Sequence, residues 1–473
     1  MLARTDLPPI SIRGPAAPPL LGPLAGVLRF FGDPVGQMFA LHARFGDLAA
    51  VVDRNAALVC AFGAEHNRAV ITQPATFEHL SEVPIPLKPG SALARLNNTI
   101  LFMNGDTHRT RRRLLMPAFS KAAVEGYAPG MAAVAGEHVA RWPQDRPVDV
   151  APLLRDLTAS IALRCLFGLD PQDDTEELGR MAVAILATIA SPLSMLLPFD
   201  LPGTPYRRGL RLAERVEQRV LRLITEKRSR PGGNDALSRL IDARDEEGAS
   251  LSDADLVGES NSLFSAGFDT SSHTLAWTLL LLAEHPDVLD DVVAELDAVL
   301  AGRPPAIEHL PELVRLDRVI KESMRLFPVA ILLFMRVTAS EVRLGEATLP
   351  PGAQLLLSPM VTHRDPAQYS MPNRFDPSRW KTLDPLPYSY LPFGTGARTC
   401  IGATFATVAL RLALARILQT IRPIVPDGAR VDYAVRGPAM GPKGGLRLEL
   451  RAAGSPGRRA RPRGTVNDLV DLG

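Results

Sequence analysis

The sequence predicts a mainly α fold, one large helical domain with a small β-rich portion towards its C-terminal half. Three observations carry that reading. Residues 251–285 form a long run with an almost uncharged middle, bounded by helix-start and helix-stop signals. Residues 330–357 concentrate Val, Leu and Phe around the turn residues Gly345 and Pro350-Pro351-Gly352. No repeat and no long linker divides the chain, whose 473 residues, 46% of them hydrophobic, suffice for a sizeable core.

Residues 1–36 are rich in Pro and Gly, and 1–33 are read as a segment preceding a domain that spans 34–450. The apolar stretch 20–31 is broken by Pro23 and Arg29, which argues against a signal peptide and against a transmembrane anchor. Residues 181–199 carry no charge and approach the length of a membrane span, but their Ser, Thr and two prolines, Pro192 and Pro198, favour a buried helix running into a Pro-rich loop.

The long helix starts at Ser252 as N-cap, with Asp255 three residues on as in a capping box, and Pro286 stops it. An element apolar on most faces must be buried on most faces, so this helix is expected to cross the centre of the molecule. A second helix starts at Pro286, and a third, 312–327, is ended by Pro328. Short strands follow in 330–357, and an apolar helix, 403–421, comes directly after Cys400. Residues 451–464 are rich in Arg, Pro and Gly, so 451–473 are expected to form a basic, solvated and disordered tail.

Charge is nearly balanced, 53 Lys+Arg against 51 Asp+Glu, which gives no field for nucleic acid. The three cysteines, Cys60, Cys165 and Cys400, are odd in number and widely spaced, so neither a disulfide framework nor a zinc knuckle is expected. A soluble protein of the reducing cytoplasm fits best.

The segment Phe393-Gly394-Thr395-Gly396-Ala397-Arg398-Thr399-Cys400-Ile401-Gly402 is the most informative in the chain. Glycines at 394, 396 and 402 let the backbone approach a flat group closely and adopt positive φ. Cys400 precedes a helix, whose N-terminal N–H groups and dipole favour a thiolate. At every defined position the segment resembles the heme-binding loop of the cytochrome P450 family. The resemblance implies the cytochrome P450 fold and heme b, its iron bound by the axial thiolate of Cys400, with Phe393 and Gly402 framing the ligand and Arg398 pairing with a heme propionate. Such a thiolate favours O–O cleavage. Cys60 and Cys165 are read as inert core residues.

Other segments extend the resemblance in the family's order. Glu322 and Arg325 share one helix face; with Pro372-Asn373-Arg374-Phe375 ahead of the Cys loop, followed by Pro377, Arg379 and Trp380, they imply a buried network of Glu322, Arg325 and Arg374 that locks the loop. Ala266-Gly267-Phe268-Asp269-Thr270-Ser271 is similar to the family's oxygen-activation segment, which makes Asp269 and Thr270 the proton-delivering pair. Gly267 permits local opening of the helix, and Thr270 can bond back to a carbonyl one turn earlier. His108 and Arg112, one helical turn apart, resemble the family's propionate-binding pair, and Arg336 is a further propionate ligand by the same resemblance. Arg109, Arg111 and Arg113 are either a docking face for an acidic electron donor or a plain solvated helix face.

The resemblance covers about residues 34–450 and implies a monooxygenase that activates O2 and inserts one oxygen atom into an apolar small molecule of the lipid, terpene, steroid or polyketide class. Pocket walls implied by it are Phe264, Ala266, Val329, Leu332 and parts of 77–101. No flavin or nicotinamide fingerprint is present, so electrons are expected from a ferredoxin or flavodoxin with its reductase. Two alternatives stay open: a peroxygenase driven by H2O2, and a heme-thiolate binding or sensor protein without turnover.

Overall fold

The computed structural model describes residues 7–17, 22–81, 87–169, 181, 184–185, 188, 199–437 and 439–472. The uncharged stretch 181–199 falls largely outside the described residues. Among the described residues no helix is long and apolar enough to cross a membrane.

The long helix is Asp253–Glu284. Ser252 caps it, its hydroxyl accepting from the Asp255 N–H while the Asp255 carboxylate accepts from the Ser252 N–H. From Leu275 to Ala283 every residue is buried, which is possible only for an element enclosed on all sides. Helix Val150–Phe167 packs along it, and helices Lys121–Ala140 and Ala403–Thr420 pack on each other. Trp277 of the long helix stacks on Phe327, ring centroids 4.5 Å apart, and thereby ties it to the end of helix Val314–Leu326.

The β portion is a five-stranded sheet in the order Leu48–Ala50, Val59–Ala61, Gln354–Leu357, Arg336–Thr338, Phe77–His79, with three small satellite sheets. Its last two strands are antiparallel and pair His79 with Arg336, so these two side chains share a face.

Both chain ends depart from expectation. Ile10 and Ile12 are buried against the five-stranded sheet, so part of the Pro/Gly-rich N-terminal segment belongs to the core. Residues 451–472 are ordered against the domain and are not a solvated tail. Glu284, fully buried, accepts from the Ala460 and Arg461 N–H groups, and Arg459 donates to the Glu284 and Leu472 carbonyls. Beyond the Arg-rich stretch, Val466, Leu469, Val470 and Leu472 are buried. The composition of 451–464 masked this short apolar series, which gives the segment enough area to bury to offset its ordering entropy.

Candidate active site

The Cys loop is built by two glycines and one hydrogen bond. Gly394 and Gly396 have φ of 63° and 72°, and a Cβ on Gly396 would stand 2.7 Å from Ile71 Cγ2. Gly402 departs from the expected positive φ: at −88° it is the residue before helix Ala403–Thr420, and its N–H acts on the Cys400 thiol in the direction that favours the thiolate. The Cys400 N–H donates to the Phe393 carbonyl at 2.8 Å, closing the loop.

Cys400 is exposed, whereas Cys60 and Cys165 are buried. Enough protein still crowds it that burial is the strongest influence on its thiol, which stands above the usual range; the Gly402 N–H and the Arg112 charge act in the opposite direction. The helix terminus alone therefore does not make it a thiolate. A metal would, since a coordinating thiol is deprotonated outright.

Around the loop the structure gathers His108, Arg112, Arg336 and Arg398, drawn from helix Gly105–Leu115, the five-stranded sheet and the Cys loop. Burial, then Arg398 and Arg112, push His108 down to about 4. Burial and the neighbouring guanidinium lower both Arg336 and Arg398 to about 10. Arg398 donates to the Ile100 and Met103 carbonyls and to Asn104 Oδ1, and Arg336 to the Phe334 carbonyl; neither these two nor Arg112 forms an ion pair with a carboxylate among the described residues. Cations crowded together without an anion call for one. This donor set, beside an exposed cysteine, fits a group that carries carboxylates and takes a thiolate ligand, and heme is such a group.

On the long helix, Ala266 is exposed and a Cβ on Gly267 would meet nothing within 4 Å. Thr270 Oγ1 donates to the Ala266 carbonyl at 2.7 Å, as its position predicts. Asp269 is part-exposed, and His273 Nδ1 lies 3.8 Å from its carboxylate. Phe264 is not on this face. It lies about 200° round the helix from Ala266, is 1% exposed, and packs on Phe167 and Phe268. Leu263, half-buried and at i, i+3, i+7 spacing with Ala266 and Thr270, takes the place expected of Phe264. Val329 is buried and Leu332 half-buried on the segment that follows helix Val314–Leu326. Of 77–101, Phe77 belongs to the core of the sheet, and 82–86 lie outside the described residues.

The charged network exists with one member changed. Glu322 and Arg325, both fully buried, form a two-pronged pair at 2.8 and 2.9 Å. The third cation is Arg379, whose Nε donates to Glu322 Oε1 at 2.9 Å, and Trp380 Nε1 donates to Oε2. Arg374 contributes only its backbone carbonyl, which accepts from Arg325 and Arg379, while its side chain is exposed. The short 3-10 turn Pro377–Lys381 folds Arg379 and Trp380 back over Glu322, a reversal that residue spacing does not reveal. Of the arginines at 109–113, Arg111 is drawn inward, 11% exposed and paired with Asp255 and Glu259, while Arg109 and Arg113 stay exposed beside the exposed carboxylates of Asp106 and Glu246.

The family model described as Cytochrome P450 matches residues 13–442. Pentalenene oxygenase of Streptomyces avermitilis is 35% identical over 74% of this chain and 79% of its own length. Cyclooctat-9-en-7-ol 5-monooxygenase of Streptomyces melanosporofaciens is 32% identical over 87% of this chain and 89% of its own. Among solved structures, a cyanobacterial protein of the family with bound retinoic acid superposes with a TM-score of 0.80 at 26% identity, covering 94% of this chain and all of that one. With the fold, the cysteine loop and these matches in agreement, the chain belongs to the cytochrome P450 family, as a monooxygenase that binds heme through an axial cysteine thiolate.

Proposed function

We propose that this monooxygenase inserts an oxygen atom from O2 into an apolar small molecule of the terpene class, with electrons from a separate ferredoxin or flavodoxin and its reductase. The observation that carries the reading is the open face of the long helix, apolar at Leu263, Ala266 and Gly267 and ending on the hydroxyl of Thr270. An apolar wall beside a small number of placed polar groups suits a hydrocarbon that must be oriented with one reactive carbon near a proton source. The names of the two relatives, which specify pentalenene and cyclooctat-9-en-7-ol, support the substrate class.

In this reading Cys400 ligates the iron, and His108, Arg112, Arg336 and Arg398 hold the carboxylates. Bound heme supplies the iron centre at which dioxygen is activated. The chain's own residues do the rest. Thr270 holds a proton at Oγ1 for delivery, and Asp269, part-exposed one residue away, replenishes it from solvent. Glu322, Arg325 and Arg379 keep the Cys loop in place without touching substrate.

A library of terpenes, steroids, fatty acids and polyketides, screened for the spin-state shift of the Soret band, tests the substrate class. Turnover of the hits with reduced ferredoxin under isotopically labelled dioxygen should place the label in the product. Turnover only with added peroxide would instead make the protein a peroxygenase, and the lack of a shift with every apolar ligand would make it a binding protein.

A further inference from the structure

Residues 453–472 lie beyond the stretch that the family model matches, and they supply no residue of the site described above. They run nevertheless from the end of the long helix to the buried charged network. Glu284 anchors them at one end through the Ala460 and Arg461 N–H groups, and Arg459 ties the same stretch to the Leu472 carbonyl. Midway, the Arg463 N–H donates to the Ala429 carbonyl and the Val466 N–H to the Val431 carbonyl. At the far end the Asp471 N–H donates to the Asn373 carbonyl at 2.9 Å, and Arg374 and Asp471 pair as an isolated parallel bridge.

Asn373 belongs to the turn that completes the network. Met371, at the head of that turn, has a φ of 46°, in the left-handed region that a non-glycine residue keeps only where its surroundings hold it, and its own side chain is 58% exposed. From inside, Arg325 donates to the Pro372 and Arg374 carbonyls, and Arg379 to those of Ser370 and Arg374. The Asn373 carbonyl between them is taken by the Asp471 N–H. Residues 371–378 otherwise face an open groove of about 960 Å³. A second route runs through Arg364, buried, whose Nη2 donates to the Leu326 carbonyl at 2.6 Å and to the Leu469 carbonyl at 2.8 Å. Leu326 ends the helix that bears Glu322 and Arg325, so a cation there satisfies a carbonyl that the helix leaves open. The sequence neighbour of Arg364, His363, accepts from the Leu391 N–H on the approach to the Cys loop.

We propose that residues 453–472 are a positioning strap for the heme site: by holding the Asn373 carbonyl and the Arg364 guanidinium, the strap fixes the turn that completes the Glu322–Arg325 network and so sets how firmly the Cys loop keeps its heme, an inference that rests on the role given above to that network. The strap acts through Arg325 and His363 and not on substrate. Once it is released, the left-handed turn at Met371 loses its outside restraint and relaxes, the Pro372 and Arg374 carbonyls draw away from Arg325, and the buried pair is left short of partners. The Cys loop therefore loosens before the rest of the domain unfolds, as a locally opening unit.

The test compares holoprotein of wild type, a chain ending at Ala453, Asp471→Pro, which removes the N–H bonded to Asn373, and Asp471→Ala, which keeps it. Ile224→Ala, a cavity in the buried face of helix Pro205–Ser229, serves as a control for stability lost elsewhere. Two quantities are read: transfer of heme to excess apomyoglobin, and amide hydrogen exchange of residues 371–376 and 391–402 by mass spectrometry. Asp471→Pro should speed both by about two- to tenfold, the range for one backbone hydrogen bond, and the shortened chain by more, while Asp471→Ala stays at wild-type rates. Wild-type rates in Asp471→Pro and the shortened chain, or equal effects of the two Asp471 variants, would overturn the proposal. So would an Ile224→Ala protein that loses heme and exchanges these segments as fast at the same loss of unfolding stability, since the strap would then add stability alone. Arg379→Ala separates the two readings: unchanged heme transfer in that variant brings down the role of the network, whereas faster transfer there with wild-type rates in the strap variants brings down the strap alone. Should the shortened chain fail to fold, the comparison of Asp471→Pro with Asp471→Ala still decides.

Discussion

Arg379, not Arg374, sets its guanidinium on Glu322, with Nε 2.9 Å from Oε1 and 7% of its side chain exposed. Glu322 thereby accepts from Arg325, Arg379, Trp380 and the Asp376 N–H, so both carboxylate oxygens are satisfied inside the protein. Arg325 still pairs with Glu322 when Arg379 is removed, so the loss is that of one charge-assisted hydrogen bond inside the protein, about 1.5–3 kcal/mol. Arg379→Ala should yield protein with little heme and a lowered unfolding temperature, while Arg374→Ala, with an exposed side chain, should load heme almost normally. Heme per protein and thermal unfolding of both variants check this. Equal damage in the two would mean that Arg374 acts through its side chain after all.

Cys400→Ala should abolish the red-shifted Soret band of the ferrous carbon monoxide adduct. Cys60 and Cys165 are buried in the core and cannot replace it. Their substitution by Ala should leave the band in place, with only the modest stability cost of small core cavities.

Thr270→Ala keeps the helix, since Ala is a good helix former and the lost hydrogen bond runs only to the Ala266 carbonyl. Heme, substrate and dioxygen should still bind. The ratio of product to reduced nicotinamide consumed should fall by on the order of tenfold, a conservative figure for loss of a positioned proton donor, with hydrogen peroxide rising to match. An unchanged ratio would show that Thr270 only packs the helix.

His363 links the end of helix Val314–Leu326 to the segment leading into the Cys loop: Nε2 accepts from the Leu391 N–H at 2.7 Å, and Nδ1 lies 3.3 Å from the Arg325 carbonyl. Burial, then Arg325 and Arg364, hold it down to about 3. The unfolded chain therefore binds this proton more readily, so stability is full above the ordinary value near 6.5 and falls as pH drops towards 3. Wild type should lose a few kcal/mol over that window. His363→Gln should be less stable at neutral pH but show a flatter acid limb in chemical unfolding measured at a series of pH values.

Leu469→Ala should destabilise the protein by about 2–5 kcal/mol, the usual range for a buried Leu. Leu469 is 1% exposed and its carbonyl accepts from Arg364. A solvated tail would show no change in the midpoint of urea unfolding.

Much of the protein was written locally. Helix punctuation at Ser252 and Pro286 placed the long helix to within two residues of Asp253–Glu284. The glycines and cysteine of 393–402 announced the family, and heme with it, because a sharp loop before a helix needs particular residues in consecutive positions. The i, i+4 bond from Thr270 to Ala266 follows from helix geometry alone.

What required the tertiary structure were partnerships between distant segments. Glu322 had two arginines in reach by sequence, and only the turn Pro377–Lys381 decided for Arg379. Phe264 and Ala266 look equivalent in a list of apolar residues, yet helix rotation buries one against Phe167 and exposes the other. His79 carries no motif; strand register with Arg336 and the grip of Asn104 place it beside the cationic cluster. The C-terminal segment reads as disordered by composition, and it is ordered because Glu284, buried at the end of the long helix, needs its N–H groups. Sequence determines what a segment prefers and which chemistry its side chains offer. Which offers are taken up depends on the burial and hydrogen-bond demands of groups far away in the chain, and those demands exist only once the fold has formed.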